Sequence, residues 1–215
     1  RPMLNLNKFI EPRFSIFRVA ELYKEPIARE FYTSFFNGYG TEINIMSPGE
    51  PEWIKNQYAI LKKTTSILRN FSSYFHSDSV KMILPTLVDN IWVNQWNHKV
   101  NSVFTVYSTI PTGYKNVLIY VQPDTMFHFV DVYHHNEIMP KYFKGSWKID
   151  VETNSFDQKW VGTNNEGAVD CIFKAKKILY IQRRAHLIDI DFLQLNALNA
   201  LNNLQLVITK TDPVL

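Results

Sequence analysis

The stretch NIWVNQW (residues 90–96) decides the fold, because it has the two-residue period and the residue types of a β-strand. A second stretch, SVFTVY (residues 102–107), is equally rich in β-branched and aromatic residues. The residues between them, 97–101, fit a hairpin turn. The two stretches are therefore predicted to pair as antiparallel strands.

Further stretches of this composition continue towards the end of the chain. Turn signals separate them, such as PTG at residues 111–113 and NNEG at residues 164–167. About seven strands at such intervals predict an antiparallel β-sandwich over residues 77–175. The other predicted strands are residues 116–121, 127–133, 146–151, 159–163 and 168–174.

Helical spacing dominates the residues before the sandwich. The pair Glu25-Pro26 fits a helix start, since the first turn leaves its N–H groups unpaired and tolerates proline there. Apolar residues then follow the i, i+3, i+4 rhythm up to residues 37–40, where asparagine and glycine accept the left-handed conformation that ends helices. Residues 52–75 are predicted to form a second helix with one apolar side.

Composition excludes several classes of function. The chain has 215 residues, of which 46% are hydrophobic and 20% charged, so it can bury a core. Its formal charge is +3 and the charges are scattered, which does not indicate a nucleic-acid partner. Cys171 is the single cysteine, which excludes an internal disulfide. No apolar run approaches a membrane span, and the start at Arg1 leads us to expect a processed or partial chain.

Several stretches, in order along the chain, resemble motifs of a family of large glycoside-hydrolase-like proteins. The resemblance covers roughly residues 14–174. The stretches that carry it are RVAELYKEPIA (18–28), FFNGYG (35–40), ILRNF (67–71), LPTLVDNIWVNQW (84–96), TVY (105–107), HFVDVYHHNE (128–137) and WVGTNNEGAVDC (160–171).

The resemblance implies an α+β chain made of the end of a barrel and an appended sandwich. Residues 1–76 would be the closing helices of an incomplete (β/α)8-type barrel, and residues 77–175 the β-sandwich that braces it. Residues 176–215 lie beyond the resemblance, and their own composition suggests an extension with strands and a short helix. Because barrel enzymes place their chemistry at the C-terminal ends of the strands, most of the catalytic groups would lie outside this chain.

The resemblance also indicates an eroded catalytic site. In the family, two tryptophans and an acidic residue follow the FFNG motif, whereas residues 40–49 here read GTEINIMSPG. Glu42 is the candidate that could replace the acid, and a solvated loop carboxylate is the alternative interpretation. Since glycosidases need two carboxyl groups across the scissile bond, this chain could supply at most one of them.

Trp92 and Trp96 are candidates for contact with carbohydrate. They lie four residues apart, so on a strand their rings share one face. They would then form an aromatic strip for a polysaccharide. Packing in the core, or between domains, is the alternative use of such a pair.

His134, His135 and Glu137 invite a metal-site interpretation, because imidazole and carboxylate groups bind zinc. Adjacent residues of a strand point to opposite faces, so we predict an exposed strand end that enters a turn here, and no metal site. Asp131 and Asp170 lie in otherwise apolar strands. Since an unpaired buried acid is costly, we expect them to make hydrogen bonds that fix a loop, with a cation site as the alternative.

The sequence favours a non-catalytic module that packs on the rest of the barrel or on a partner chain. One alternative is an active carbohydrate hydrolase, with Glu42 as one acid and a site completed by sequence outside this chain. The other is a carbohydrate-binding module that uses Trp92 and Trp96. We predict no cofactor, no nucleic-acid partner and no membrane span, with carbohydrate as a candidate ligand.

Overall fold

The structure is a computed structural model of the chain and describes residues 4–21, 27–44, 54–122, 127–157 and 167–176. Its helices are a 3-10 helix (Leu6–Phe9), α1 (Ala28–Phe36), α2 (Ile54–Asn70) and α3 (Ser72–Phe75). Its strands are β1 (Phe17–Glu21), β2 (Gly40–Asn44), β3 (Val80–Lys81), β4 (Ile91–His98), β5 (Asn101–Ser108), β6 (Tyr114–Tyr120), β7 (Phe127–Asp131), β8 (Asn136–Ile138), β9 (Lys141–Phe143), β10 (Ser146–Thr153) and β11 (Ala168–Lys176). Within these ranges, every helix is too short or too polar to cross a membrane.

Strands and helices alternate in the first part of the chain, in the order β1, α1, β2, α2. β1 and β2 pair in parallel, with Phe17 opposite Gly40. One apolar cluster contains Ala20 of β1, Phe31 of α1 and Ile54 of α2, so both helices lie against the same face of the strand pair. The helical prediction for residues 1–76 misses these two strands, because five residues are too few for a clear two-residue period.

The remaining strands form two antiparallel sheets. The six-stranded sheet has the order β3-β4-β5-β11-β7-β8, and the three-stranded sheet has the order β6-β10-β9. The predicted hairpin is confirmed, since His98 at the end of β4 lies opposite Asn101 at the start of β5. The α+β class and the antiparallel sandwich are confirmed with it. The strand predicted over residues 159–163 and the extension predicted beyond residue 176 lie outside the described residues.

Both faces of the six-stranded sheet are buried. On one face, Val93 of β4 shares an apolar cluster with Leu118 and Ile149 of the three-stranded sheet. On the opposite face, Trp96 packs edge-on against Phe75 of α3, with ring centroids 5.2 Å apart. The six-stranded sheet is therefore the middle of three layers, between the helices and the smaller sheet.

A buried hydrogen-bond network joins the end of α1 to the six-stranded sheet. The carbonyl oxygen of Phe36 accepts from Asn94 Nδ2 at 3.1 Å and from Thr105 Oγ1 at 2.9 Å. Thr105 Oγ1 in turn accepts from Trp96 Nε1 at 2.9 Å. The last carbonyls of a helix have no partner within it, so β4 and β5 supply the donors that α1 lacks.

Gly38 allows α1 to end this close to the sheet. Its φ is +69°, a conformation that costs little only for glycine. A Cβ at this position would lie 2.7 Å from the ring of Phe75 and 3.1 Å from the ring of Trp96. Any other residue at position 38 would therefore have a strained backbone, and its side chain would have no space.

We predict that Gly38→Ala lowers the free energy of unfolding by about 2–4 kcal/mol. Alanine is strained in the left-handed conformation of residue 38, and its Cβ would clash with the ring of Phe75. The matched control is Gly40→Ala, where a Cβ would meet no atom within 4 Å and φ is not positive. The control is expected to change stability by less than about 0.5 kcal/mol. Urea unfolding followed by tryptophan fluorescence measures both variants, and equal effects would contradict the packing described here.

Candidate functional site

Asp131, His134 and Asp170 converge at one end of the sandwich. Asp131 is the last residue of β7, His134 lies in the turn at residues 132–135, and Asp170 lies in β11. The Nδ1 atom of His134 is 2.9 Å from Asp131 Oδ2 and 3.5 Å from Asp170 Oδ1. One imidazole nitrogen therefore lies between two carboxylates.

Backbone N–H groups hold both carboxylates in place. Asp131 Oδ1 accepts from the N–H groups of Tyr133 at 2.9 Å and His134 at 2.7 Å, the local turn that aspartate favours. Asp170 Oδ2 accepts from the N–H of Glu152 in β10 at 2.9 Å, which links the two sheets. The hydrogen bonds expected for Asp131 and Asp170 are therefore present.

Burial controls the charge state of the cluster. The exposed fractions of the side chains are 0% for Asp170, 5% for Asp131 and 14% for His134. Burial raises the pKa of Asp170 to about 7, and the charge of Asp131 acts in the same direction. Burial lowers the pKa of His134, but its hydrogen bonds to the two carboxylates outweigh burial and raise the pKa to about 10. At neutral pH, the cluster therefore holds a positive charge between its carboxylates.

An open cleft of about 410 Å³ reaches this cluster through Asp131. This volume lies within the range of small-molecule sites. Lys115 pairs with Glu152 at 2.7 Å and Lys141 pairs with Asp150, so the remaining carboxylates give the lining an excess of negative charge. The charged lining residues are Lys115, Asp131, Glu137, Lys141, Asp150 and Glu152.

His134 and His135 lie in the turn that follows β7, which agrees with the prediction of a strand end that enters a turn. The strand predicted over residues 127–133 ends at Asp131, where the aspartate side chain binds the N–H groups of the turn. The alternation of faces along a strand does not apply there, and His134 folds back onto Asp131. His135 has a φ of +63°, and the prediction of an exposed strand end fails for the mostly buried His134.

Glu42 lies in β2, opposite Val19 of β1. Ile43, the next residue, packs with Ala20 in the cluster that includes the helices. Since successive side chains of a strand alternate, Glu42 points away from the helices, and it is exposed. Its role as a residual catalytic acid stays a prediction.

Trp92 and Trp96 share one face of β4, and this face lies against the helices. Trp96 is fully buried, whereas Trp92 is half-buried with its ring centroid 6.3 Å from that of Tyr107. A sugar ring could reach Trp96 only if the core opened. The positions fit the core-packing interpretation, and carbohydrate contact by this pair stays a prediction.

Sequence reasoning did not bring Asp131, His134 and Asp170 together. The sequence did contain a local signal. An aspartate often accepts hydrogen bonds from the N–H groups two and three residues after it, and for Asp131 these belong to Tyr133 and His134. That signal could have placed His134 beside Asp131. The approach of Asp170 depends on β7 and β11 pairing in the sheet, with Ile172 opposite Asp131.

No curated protein and no family model matches this sequence. Solved structures with partial similarity include a noncanonic maltogenic α-amylase, AmyB, from Thermotoga neapolitana, with 11% identity, a TM-score of 0.46, and coverage of 77% of this chain and 43% of that one. Another is the α-fucosidase of Thermotoga maritima, with 12% identity, a TM-score of 0.39, and coverage of 75% and 39%. The chain spans less than half the length of either protein. At TM-scores of 0.46 and 0.39, these structural similarities do not indicate the function of this chain.

We predict that Asp170 and His134 each make a contribution to the free energy of unfolding that falls as the pH rises, with a slope of at most about 1.4 kcal/mol per pH unit for each proton. The pKa of Asp170 is above its ordinary 3.8, so its contribution is lost between about pH 4 and 7. The pKa of His134 is above its ordinary 6.5, so its contribution is lost between about pH 7 and 10. Urea unfolding at a series of pH values measures this profile.

The variant Asp170→Asn is expected to flatten the profile below pH 7, because the residue no longer takes up a proton. Asp89→Asn, at an exposed aspartate, serves as the control and should leave the profile unchanged. Parallel profiles of the wild type and Asp170→Asn between pH 4 and 7 would contradict the assignment.

Proposed function

We propose that this chain is the non-catalytic C-terminal portion of a glycoside-hydrolase-like protein. In this role, its sandwich braces a parallel barrel to which β1 and β2 contribute two strands. The rest of the barrel comes from further sequence of the same protein or from a partner chain. The motifs quoted from residues 14–174 support the family, and the geometry of β1 and β2 supports the role.

The order β1, α1, β2, α2 with parallel pairing is the repeating pattern of an α/β barrel. The helices cover one face of the strand pair, where Ala20 and Ile43 pack beneath them. Among the described residues, the parallel sheet consists of these two strands. Parallel sheets are almost always covered on both faces, whereas the helices cover only one face of this pair.

The uncovered face of β1 and β2 carries the proposal. It presents Phe17, Val19 and Glu42, which alternate with the residues that face the helices. Phe17 is 61% exposed, although a phenylalanine in a parallel strand is ordinarily buried. In a barrel this face would form the interior, which side chains from the neighbouring strands fill.

The segment before β1 also exposes large apolar side chains. Ile10 is 87% exposed, and exposed apolar residues of this kind are typical of a surface that another chain segment covers. The exposed large apolar residues here are Leu6, Phe9, Ile10, Phe14, Ile16 and Phe17. We propose that further strands and helices of the barrel cover these residues. Additional parallel strands would pair with β1 and β2, and their side chains would cover the exposed apolar face.

We predict that the chain by itself binds the dye ANS and associates into a distribution of sizes at micromolar concentration. Phe17→Lys should reduce both, because it places a charge on the uncovered face. Tyr142→Lys is the matched control, since Tyr142 is an aromatic residue of the sandwich with 67% exposure. Light scattering coupled to gel filtration and dye fluorescence provide the measurements.

A monodisperse monomer that does not bind ANS would contradict the proposal. A stable dimer of fixed stoichiometry that Phe17→Lys dissociates would contradict it as well, since a second copy would then cover the face.

A further inference from the structure

The spacing of the ligand-type atoms in Asp131, His134 and Asp170 fits a metal ion. These three residues offer atoms that all lie within 4.8 Å of one another. A tetrahedral zinc ion with bonds of about 2.0 Å has ligand atoms about 3.3 Å apart. The distances from His134 Nδ1 to the two carboxylates, 2.9 Å and 3.5 Å, fall on either side of that value. We propose that Asp131, His134 and Asp170 bind a divalent transition-metal ion, with zinc as the best fit.

The carboxylates are already oriented for this role. Asp131 directs Oδ1 to two backbone N–H groups, which leaves Oδ2 to face the imidazole. Asp170 is fixed through Oδ2 by the N–H of Glu152 and through Oδ1 by the N–H of Cys171 at 2.6 Å, and Oδ1 also faces His134. Hydrogen bonds from surrounding groups to the ligands are the arrangement that pre-positions metal sites.

The charges of the site balance when the metal binds. Two carboxylates carry two negative charges, which a divalent ion neutralises once His134 has lost its proton and become a neutral ligand. The imidazolium form leaves the same buried site with one uncompensated negative charge when both carboxylates are ionised. Binding therefore forms a bond from the metal to His134 Nδ1 and releases the proton from that atom to solvent.

Of the three residues, Asp131 lines the cleft, so an ion would approach the cluster from the side of Asp131. The lining of the cleft has four carboxylates and two lysines, so it attracts cations towards the site. Three protein ligands with one position open to water are typical of zinc sites that are not purely structural. The same three residues could serve only as a hydrogen-bonded link between the sheets, which is the outcome that the experiment below must separate from metal binding.

The test is a titration of the chelator-treated chain with zinc chloride at pH 7.5, followed by calorimetry in two buffers of different ionisation enthalpy. We expect one ion per chain, confirmed by elemental analysis, with release of about one proton. Asp170→Asn and His134→Gln should each weaken binding at least about 100-fold. His76→Gln, at an exposed histidine, is the control and should bind as the wild type does.

Wild-type chain that takes up no zinc at about 1 mM metal would overturn the proposal. Equal affinity of the wild type and both site variants would overturn it as well. Cobalt(II) substitution of the wild type gives a test that does not depend on the folding of a variant. Visible d–d bands of four-coordinate cobalt without a thiolate band support the site, and their absence contradicts it.

Discussion

The carbonyl oxygen of Phe36, at the end of α1, is buried and needs hydrogen-bond donors from outside the helix. The rest of the structure depends on these hydrogen bonds. Asn94 and Thr105 donate to it from two adjacent strands, and Trp96 donates to Thr105. Leaving such a group without a partner costs about 1–3 kcal/mol, and these donors lie where water does not reach. The end of α1 and the six-stranded sheet therefore share one core.

The attachment of α1 to the six-stranded sheet explains why the sandwich side of the helices is buried whereas part of the β1–β2 pair is exposed. With α1 held on the sheet, the helix faces near Phe36 and Phe75 are covered, and Trp96 is buried between them. The helices also cover one face of β1 and β2, so the residues that remain exposed lie on the opposite face of that strand pair. The helices thus form the layer between the sandwich and the parallel pair of β1 and β2.

The sequence predicted the long antiparallel strands well, because eight residues with alternating faces give a clear period, as in β4. It also predicted that Trp92 and Trp96 share a face, but not that helices cover it. β1 and β2 were missed because they are short. The grouping of Asp131 with Asp170 could not be predicted, since it depends on the pairing of strands that are distant in sequence.

The central claim is that β1 and β2 belong to a larger sheet that this chain does not complete. Hydrogen exchange of the isolated chain, resolved by peptide, tests it most directly. The account predicts that amides of β1 and β2 exchange at least about 100-fold faster than those of β4 and β5, which lie in a covered sheet. Equal protection of the two strand pairs would show that the parallel pair is already complete, and would contradict the account.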